Sequence, residues 1–197
     1  MILYFDTETT GLCPGGIIQL SYIMQDENGV TGKNFFFFQP YIQPASISVH
    51  GITVEKLAVL SGGKVFEDYI DEITADFERA SLVVAHNFPF DFKFMSAEFE
   101  RCYQTFHYNE KLDSMRYFCP YLKLKTANGH GFKYPKLNEL ANFFEVYDYD
   151  ATRLCIKLFK ECGLSHDSRF DIAQTFLSVQ KARELYPDFN DYLTNFI

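Results

Sequence analysis

Residues 2–12 read ILYFDTETTGL. Four apolar residues run into Asp6, and Glu8 follows two positions later. The apolar run is too short for a helix and suits a central strand. On a strand, residues i and i+2 share a face, so Asp6 and Glu8 project together and Thr7 faces away. Two like charges brought together out of water repel, and they call for a cation or a shared proton. Taken alone, the pair also fits a strand that is simply entering solvent.

Working outward, IIQLSYIMQD (17–26) is a second strand ending in the turn DENG, and KNFFFFQP (33–40) is a third, stopped by its proline. Short turns between them predict an antiparallel meander. YIQPASISVHGITVEKL reads as a loop with a short helix entered at Thr53. VFEDYIDEITADFERA then carries Val65, Phe66, Tyr69, Ile70, Ile73 and Phe77 on one helical stripe. LVVAHN (82–87) is a compact buried strand. Helices are expected over 90–102, over 112–122 until Pro120 interrupts, over 136–144, over 148–163 ended by a glycine, and from about 167 to 184. A polar loop covers 126–135. This order predicts an α/β fold: a mixed central sheet, its first three strands antiparallel, flanked by helices, in one domain over 1–197.

Composition bounds the function. There is no apolar run of eighteen residues and no basic leader before a greasy stretch, which predicts a cytoplasmic protein without a membrane partner. Cys13, Cys102, Cys119, Cys155 and Cys162 form no CxxC pair, so reduced thiols fit better than a zinc site or a disulfide framework. The net charge of −8 argues against a polyanionic partner until its distribution is read. Residues 67–78 hold six acids and no base. Residues 111–136 hold Lys111, Arg116, Lys123, Lys125, Lys133 and Lys136 against Asp113 alone. The second stretch could receive a phosphate backbone, or be an ordinary solvated face.

Two more acids stand at the edges of regular elements. Asp91, in HNFPFDFKFM (86–95), opens the helix after the 82–87 strand, as a helix-capping acid would. Asp171, in SHDSRFDIAQT (165–175), follows His166 by five residues and lies in an otherwise apolar helical face. Four carboxylates without cysteine ligands suit hard cations such as Mg²⁺ or Mn²⁺. Two such ions are a common device for phosphodiester cleavage.

FDTETTGL, HNFPFDFKFM and HDSRFD, in this order, resemble the three motifs of the DnaQ-like 3′–5′ exonucleases of the DEDDh type, which have a ribonuclease-H-like fold. VHGIT (49–53) and KLNELANFF also resemble family stretches, and the likeness covers roughly residues 1–180. The resemblance implies that Asp6, Glu8, Asp91 and Asp171 are the metal ligands for two Mg²⁺ or Mn²⁺ ions, with Asp6 shared. It implies that His166 takes a proton from the attacking water, as an imidazole base can. Thr9, Gly11, Leu12 and His50 would line the pocket of the terminal nucleotide, with Leu12 wedged on its base; Asn87 would orient backbone or substrate. A merely structural loop role for His50 stays open. On the charge argument alone, Lys123, Lys125 and Lys133 would meet the strand behind the terminal nucleotide.

The implied reaction is metal-dependent removal of nucleoside 5′-monophosphates from the 3′ end of single-stranded or frayed DNA, alone or beside a DNA polymerase or repair complex. Trimming of short RNA or tRNA ends is the alternative, and a non-catalytic nucleic-acid-binding subunit is a further one. Two departures from the family pattern stand out. The turn after FDTETTGL is compressed, and DYDATRLCIKLFKECG is inserted before His166. That insertion makes Asp150 a rival to Asp171, with Tyr147 three residues before it, one short of the tyrosine spacing of the sister subgroup.

Overall fold

The computed structural model describes residues 1–163 and 166–197. Strands β1 (Ile2–Thr9), β2 (Ile17–Asp26) and β3 (Gly29–Phe36) form the expected antiparallel meander. Helices α1 (Pro44–His50) and α2 (Val54–Ser61) follow. A 3₁₀ turn, Phe66–Tyr69, leads into α3 (Ile70–Arg79). Then come β4 (Leu82–Ala85), α4 (Phe88–Arg101), β5 (Glu110–Asp113), α5 (Ser114–Leu122), α6 (Leu137–Phe143), α7 (Asp148–Phe159), α8 (Ser168–Leu185) and α9 (Pro187–Thr194). The sheet order is β3-β2-β1-β4-β5, with β4 parallel to both β1 and β5. This is the mixed sheet expected of a ribonuclease-H-like fold.

Strand alternation sorts the core into two layers. Leu3, Phe5, Val83 and Ala85 pack with Ile73 and Phe77 of α3 and with Phe94, Met95 and Phe99 of α4. Ile2, Tyr4, Leu82 and Val84 face the other way, onto Leu140 of α6, Ile172, Phe176 and Val179 of α8, and Phe189 of α9. Aromatic edges interlock both layers: Phe77 meets Phe5, Tyr22 and Phe106 at ring separations of 5.2, 5.7 and 5.1 Å, and Tyr4 meets Phe176 at 5.0 Å.

Several boundaries differ from expectation, each for a local reason. β1 does not stop at Phe5; it continues through both carboxylates to Thr9 because β2 pairs with it along its whole length. β3 starts earlier and leaves the sheet before Pro40, where Phe37 is buried and the Phe38 amide donates to the Lys64 carbonyl at 2.6 Å. Residues 44–50 are a helix rather than loop, with Pro44 at the first position and Gly51 closing it at φ 69°. Pro120 does not end α5. The helix ends two residues later at Leu122 and is closed by Lys123, so little of the ladder is lost, and Phe118 anchors it in the core. α7 ends at Phe159 with Lys160 in the left-handed region, ahead of the expected glycine. β5 takes in residues 112 and 113, where the sequence predicts the start of a helix: its four residues bury only Leu112 and show no alternation.

Phe77→Ala is expected to cost about 3–5 kcal/mol, since it empties the junction of three rings. Urea unfolding of the two proteins checks this; a loss below about 1 kcal/mol would show that the α3 layer does not carry the core.

Candidate active site

β1 presents its two faces to two helices. Asp6 and Glu8 continue the face of Ile2 and Tyr4, toward α8. Asp171 enters from the first turn of α8, and one carboxylate oxygen from each of the three lies within 4.8 Å of the others. Thr7 is on the opposite face, where it meets α4. Its amide and its hydroxyl both donate to Asp91 Oδ1, at 3.1 and 2.7 Å. The residue that turns away from the acid pair is thus the one that fixes the fourth acid.

The third motif is fastened by polar residues that the sequence reading passed over. Opposite Asp6 and Glu8 on β2 stand Ser21 and Gln19, both fully buried, and Asn34 pairs with Ser21 on β3. Asn34 Oδ1 accepts from Gln19 and Ser21 at 2.9 and 2.8 Å. Ser21 Oγ lies 2.6 Å from Ser168 Oγ, and Gln19 Nε2 donates to Asp167 at 3.1 Å. Asp167 caps α8 and is paired with Arg169 at 2.8 Å, whose guanidinium covers Phe36. Burial pushes the Asp167 carboxyl up, but the Arg169 contacts outweigh it and hold it below its ordinary range. The one available signal was Gln19 and Ser21 themselves, polar residues at alternate positions of an apolar strand.

The four acids are mutually repelling. Burial raises Asp6 well above the ordinary carboxylate range, and the charges of Asp91, Asp171 and Glu8 raise it further. Glu8 is raised by burial, then by Asp171 and Asp167. Burial lifts Asp91 to about 7 against the Thr7 hydrogen bonds, and lifts Asp171 to about 7 against the backbone of His166. Folding therefore gathers negative charge that no described cation pairs directly, an all-oxygen donor set suited to hard divalent ions. His166 sits before α8 in the left-handed region, exposed, with its amide donating to Asp171 Oδ1 and Oδ2 at 3.3 and 3.2 Å. Ser165, the first residue of that motif, lies outside the described residues. Asp150 is not in the cluster. Its carboxylate accepts from the Tyr147 amide at 3.3 Å and caps α7.

Beside Glu8 opens a cavity of about 260 Å³ whose lining includes Thr9, Gly11, Leu12, Val49, His50 and Phe90. Leu12 is 78% exposed, while its carbonyl is held by Lys93 at 2.6 Å. The Ile52 amide donates to His50 Nδ1 at 3.1 Å, which leaves the proton of a neutral ring on Nε2. That Nε2 is buried without a hydrogen-bond partner, and burial lowers the His50 pKa. Asn87 does not line this cavity. It turns the chain from β4 into α4 at φ 73°, with its amide on Asp113 Oδ1 at 3.2 Å. A second cavity, of about 400 Å³, is lined by Asp171 together with Lys136, Asn138, His166 and Gln174. Of the expected lysines, Lys133 is ion-paired with Glu139.

Comparison with known proteins agrees with this geometry. A protein-family model described as Exonuclease matches residues 3–150. The epsilon subunits of DNA polymerase III from Pasteurella multocida and Salmonella typhimurium are 32% identical over 109 residues and 35% identical over 107. These matches take in 50% and 49% of the chain and 42% of each relative, so the chain spans under half the length of the curated relatives it matches. Among solved structures, E. coli Exonuclease I in complex with a dA16 oligonucleotide superimposes with a TM-score of 0.72 at 19% identity, over 98% of this chain and 43% of that one. Exonuclease X in complex with 5′-overhanging duplex DNA gives 0.62 at 18%, over 93% and 92%. At those identities the likeness is one of fold. The family match stops before His166 and Asp171, so the joining of the third motif to the first two rests on the geometry.

Because the folded-state pKa values of these acids are raised, the metal-free protein carries a penalty when they are ionised. That penalty is fully present above about pH 7 and is relieved as pH falls toward the ordinary carboxylate range. Asp171→Asn is expected to stabilise the protein in EDTA at pH 8 by on the order of 1 kcal/mol, roughly 2–4 °C in Tm. It is expected to do little at pH 5 and to abolish the Tm rise produced by Mn²⁺. Equal destabilisation at both pH values would contradict a charge-gathering site.

Proposed function

The chain belongs to the DnaQ-like exonuclease family, and from that premise we propose that it is a two-metal-ion 3′–5′ exonuclease of the DEDDh type that removes nucleoside 5′-monophosphates from single-stranded or frayed DNA. The observation that carries this reading is the meeting of Asp6, Glu8 and Asp171 from opposite ends of the chain, with oxygens within 4.8 Å of one another. Asp91, held by Thr7, adds the fourth carboxylate. These residues would hold two Mg²⁺ or Mn²⁺ ions, which supply Lewis acidity to a phosphoryl oxygen and acidify a bound water.

The remaining work falls to the chain itself. His166 takes the proton from the attacking water; its amide contacts with Asp171 support its being kept at the edge of the acid cluster. The apolar cavity beside Glu8 takes the terminal nucleotide. Its Leu12 and Phe90 offer surface to a base, and Thr9, Gly11 and His50 line the same wall. The pocket next to a metal-binding carboxylate suits removal of one unit at a time from an end. Partnership with a DNA polymerase or repair complex is part of this proposal, supported by the relatives' being named polymerase subunits.

Single-stranded DNA and RNA labelled at the 5′ end, incubated with Mg²⁺, Mn²⁺ or EDTA, test the reading. A ladder shortening from the 3′ end is expected with either metal and none with EDTA. Asp6→Ala is expected to be inactive, and His166→Ala to lose about 10²–10⁴-fold in rate while keeping the Mn²⁺-induced Tm rise. Cleavage that persists in EDTA, or an undiminished rate in Asp6→Ala, would overturn it; preferential shortening of the RNA would move the substrate to the alternative.

A further inference from the structure

The segment between α5 and α6 folds back on itself as a small hairpin. Lys125 bridges Phe132, the Lys133 amide donates to the Leu124 carbonyl at 2.8 Å, and Gly129 and Gly131 take the positive φ angles of its tip. It is anchored to the body at its base. His86 Nε2 lies 3.1 Å from the Pro135 carbonyl, and Cys119 Sγ lies 3.5 Å from that of Lys133. Lys133 turns inward to Glu139, yet its two neighbours turn out: Phe132 is 48% exposed and Tyr134 is 54% exposed. The Arg116 guanidinium lies 5.7 Å from the centre of the Tyr134 ring. Two rings left half exposed among Arg116, Lys123 and Lys125, in a chain of net charge −8, ask for an explanation.

Position supplies it. Two residues after Tyr134, a reach of at most about 7 Å of chain, Lys136 lines the cavity that holds His166 and Asp171. The basic, aromatic hairpin therefore runs directly into the wall of the cavity that His166 and Asp171 line. Aromatic faces interleaved with lysines are what a single strand of nucleic acid recognises: bases stack on the rings and phosphates meet the cations, without regard to sequence. We propose that hairpin 124–134 is a stacking platform for the substrate strand, holding nucleotides several positions behind the 3′ end through Phe132 and Tyr134. This rests on the exonuclease reading for the direction of the strand, but its test does not require hydrolysis.

Binding of fluorescent oligothymidylates is measured by anisotropy in EDTA, comparing a strand of about four nucleotides with one of about twelve. The wild type is expected to bind the longer strand at least tenfold more tightly. The double variant Phe132→Ala/Tyr134→Ala is expected to lose most of that length-dependent gain, as removal of two stacking rings should. Lys125→Ala is expected to lower the salt dependence of binding to the longer strand by about 0.7 in log–log slope. A wild type without the length gain, a double variant that keeps it, or one that weakens both strands equally would overturn the platform. Hydrolysis by the wild type without a length gain would leave the exonuclease reading standing and remove this one. A length gain lost in the double variant, in a protein that never cleaves with Mg²⁺ or Mn²⁺, would do the reverse.

Discussion

The constraint on which the rest depends is the placing of two like charges on one face of the central strand of the sheet. β1 is buried on both sides through Phe5. A strand so placed cannot end its apolar run in Asp6 and Glu8 without either leaving the sheet or building a polar chamber around them. The structure takes the second course. The neighbouring positions of β2 and β3 become Ser21, Gln19 and Asn34, which satisfy one another and fasten the start of α8. The chamber is polar, yet it contains no positive side chain paired with the acids among the described residues. Arg169, the cation nearest in sequence to Asp171, is engaged by Asp167 and Glu161. The chamber is thus hydrogen-bonded but left electrostatically unbalanced, which is the condition under which a divalent cation binds with most gain.

How much of this could be read from the sequence follows from the range of each interaction. The meander, the amphipathic α3 and the long α8 are local patterns, and period-2 or helical stripes reveal them. The pairing of Asp6 with Glu8 is equally local. The boundaries that moved were set at long range: β1 is carried past Asp6 by β2, and β5 exists because β4 offers it an edge. The role of Thr7 was invisible for a related reason. Alternation says that it points away from the acid pair, but only the packing of α4 shows that it points at Asp91. Asp150 shows the reverse case. Its spacing made it a rival ligand, and its carboxylate is spent on the first turn of α7.

The net charge misleads as a guide to partners because the two charged stretches are used differently. In the acidic run, Asp76 lies under β2, accepting from Tyr22 at 2.7 Å and pairing with Lys33 and Arg79, while Asp68 pairs with Lys64. Much of that run is neutralised internally. The basic run is spent less completely: Lys133 meets Glu139 and Arg116 meets Asp113, and no ion pair involves Lys123, Lys125 or Lys136 among the described residues. A chain that is acidic overall can still present a local cationic path to a polyanion, since charges farther apart than a Debye length are largely screened.

The helix ahead of His166, α7, fits the same economy. α7 lies against α8 through Ala151 and Cys155, which pack on Phe170 and Ala173. It also approaches β3 so closely that a Cβ on Gly32 would meet the Phe159 ring at 2.7 Å. The helix is therefore a wedge between β3 and α8, the two elements that the Ser21–Asn34–Ser168 contacts already join. It braces the outer side of the helix that delivers Asp171 and leaves the acid cluster itself untouched. The helix thus stands outside the site while supporting one of the two elements whose separation the site requires, the first strand and the first turn of α8.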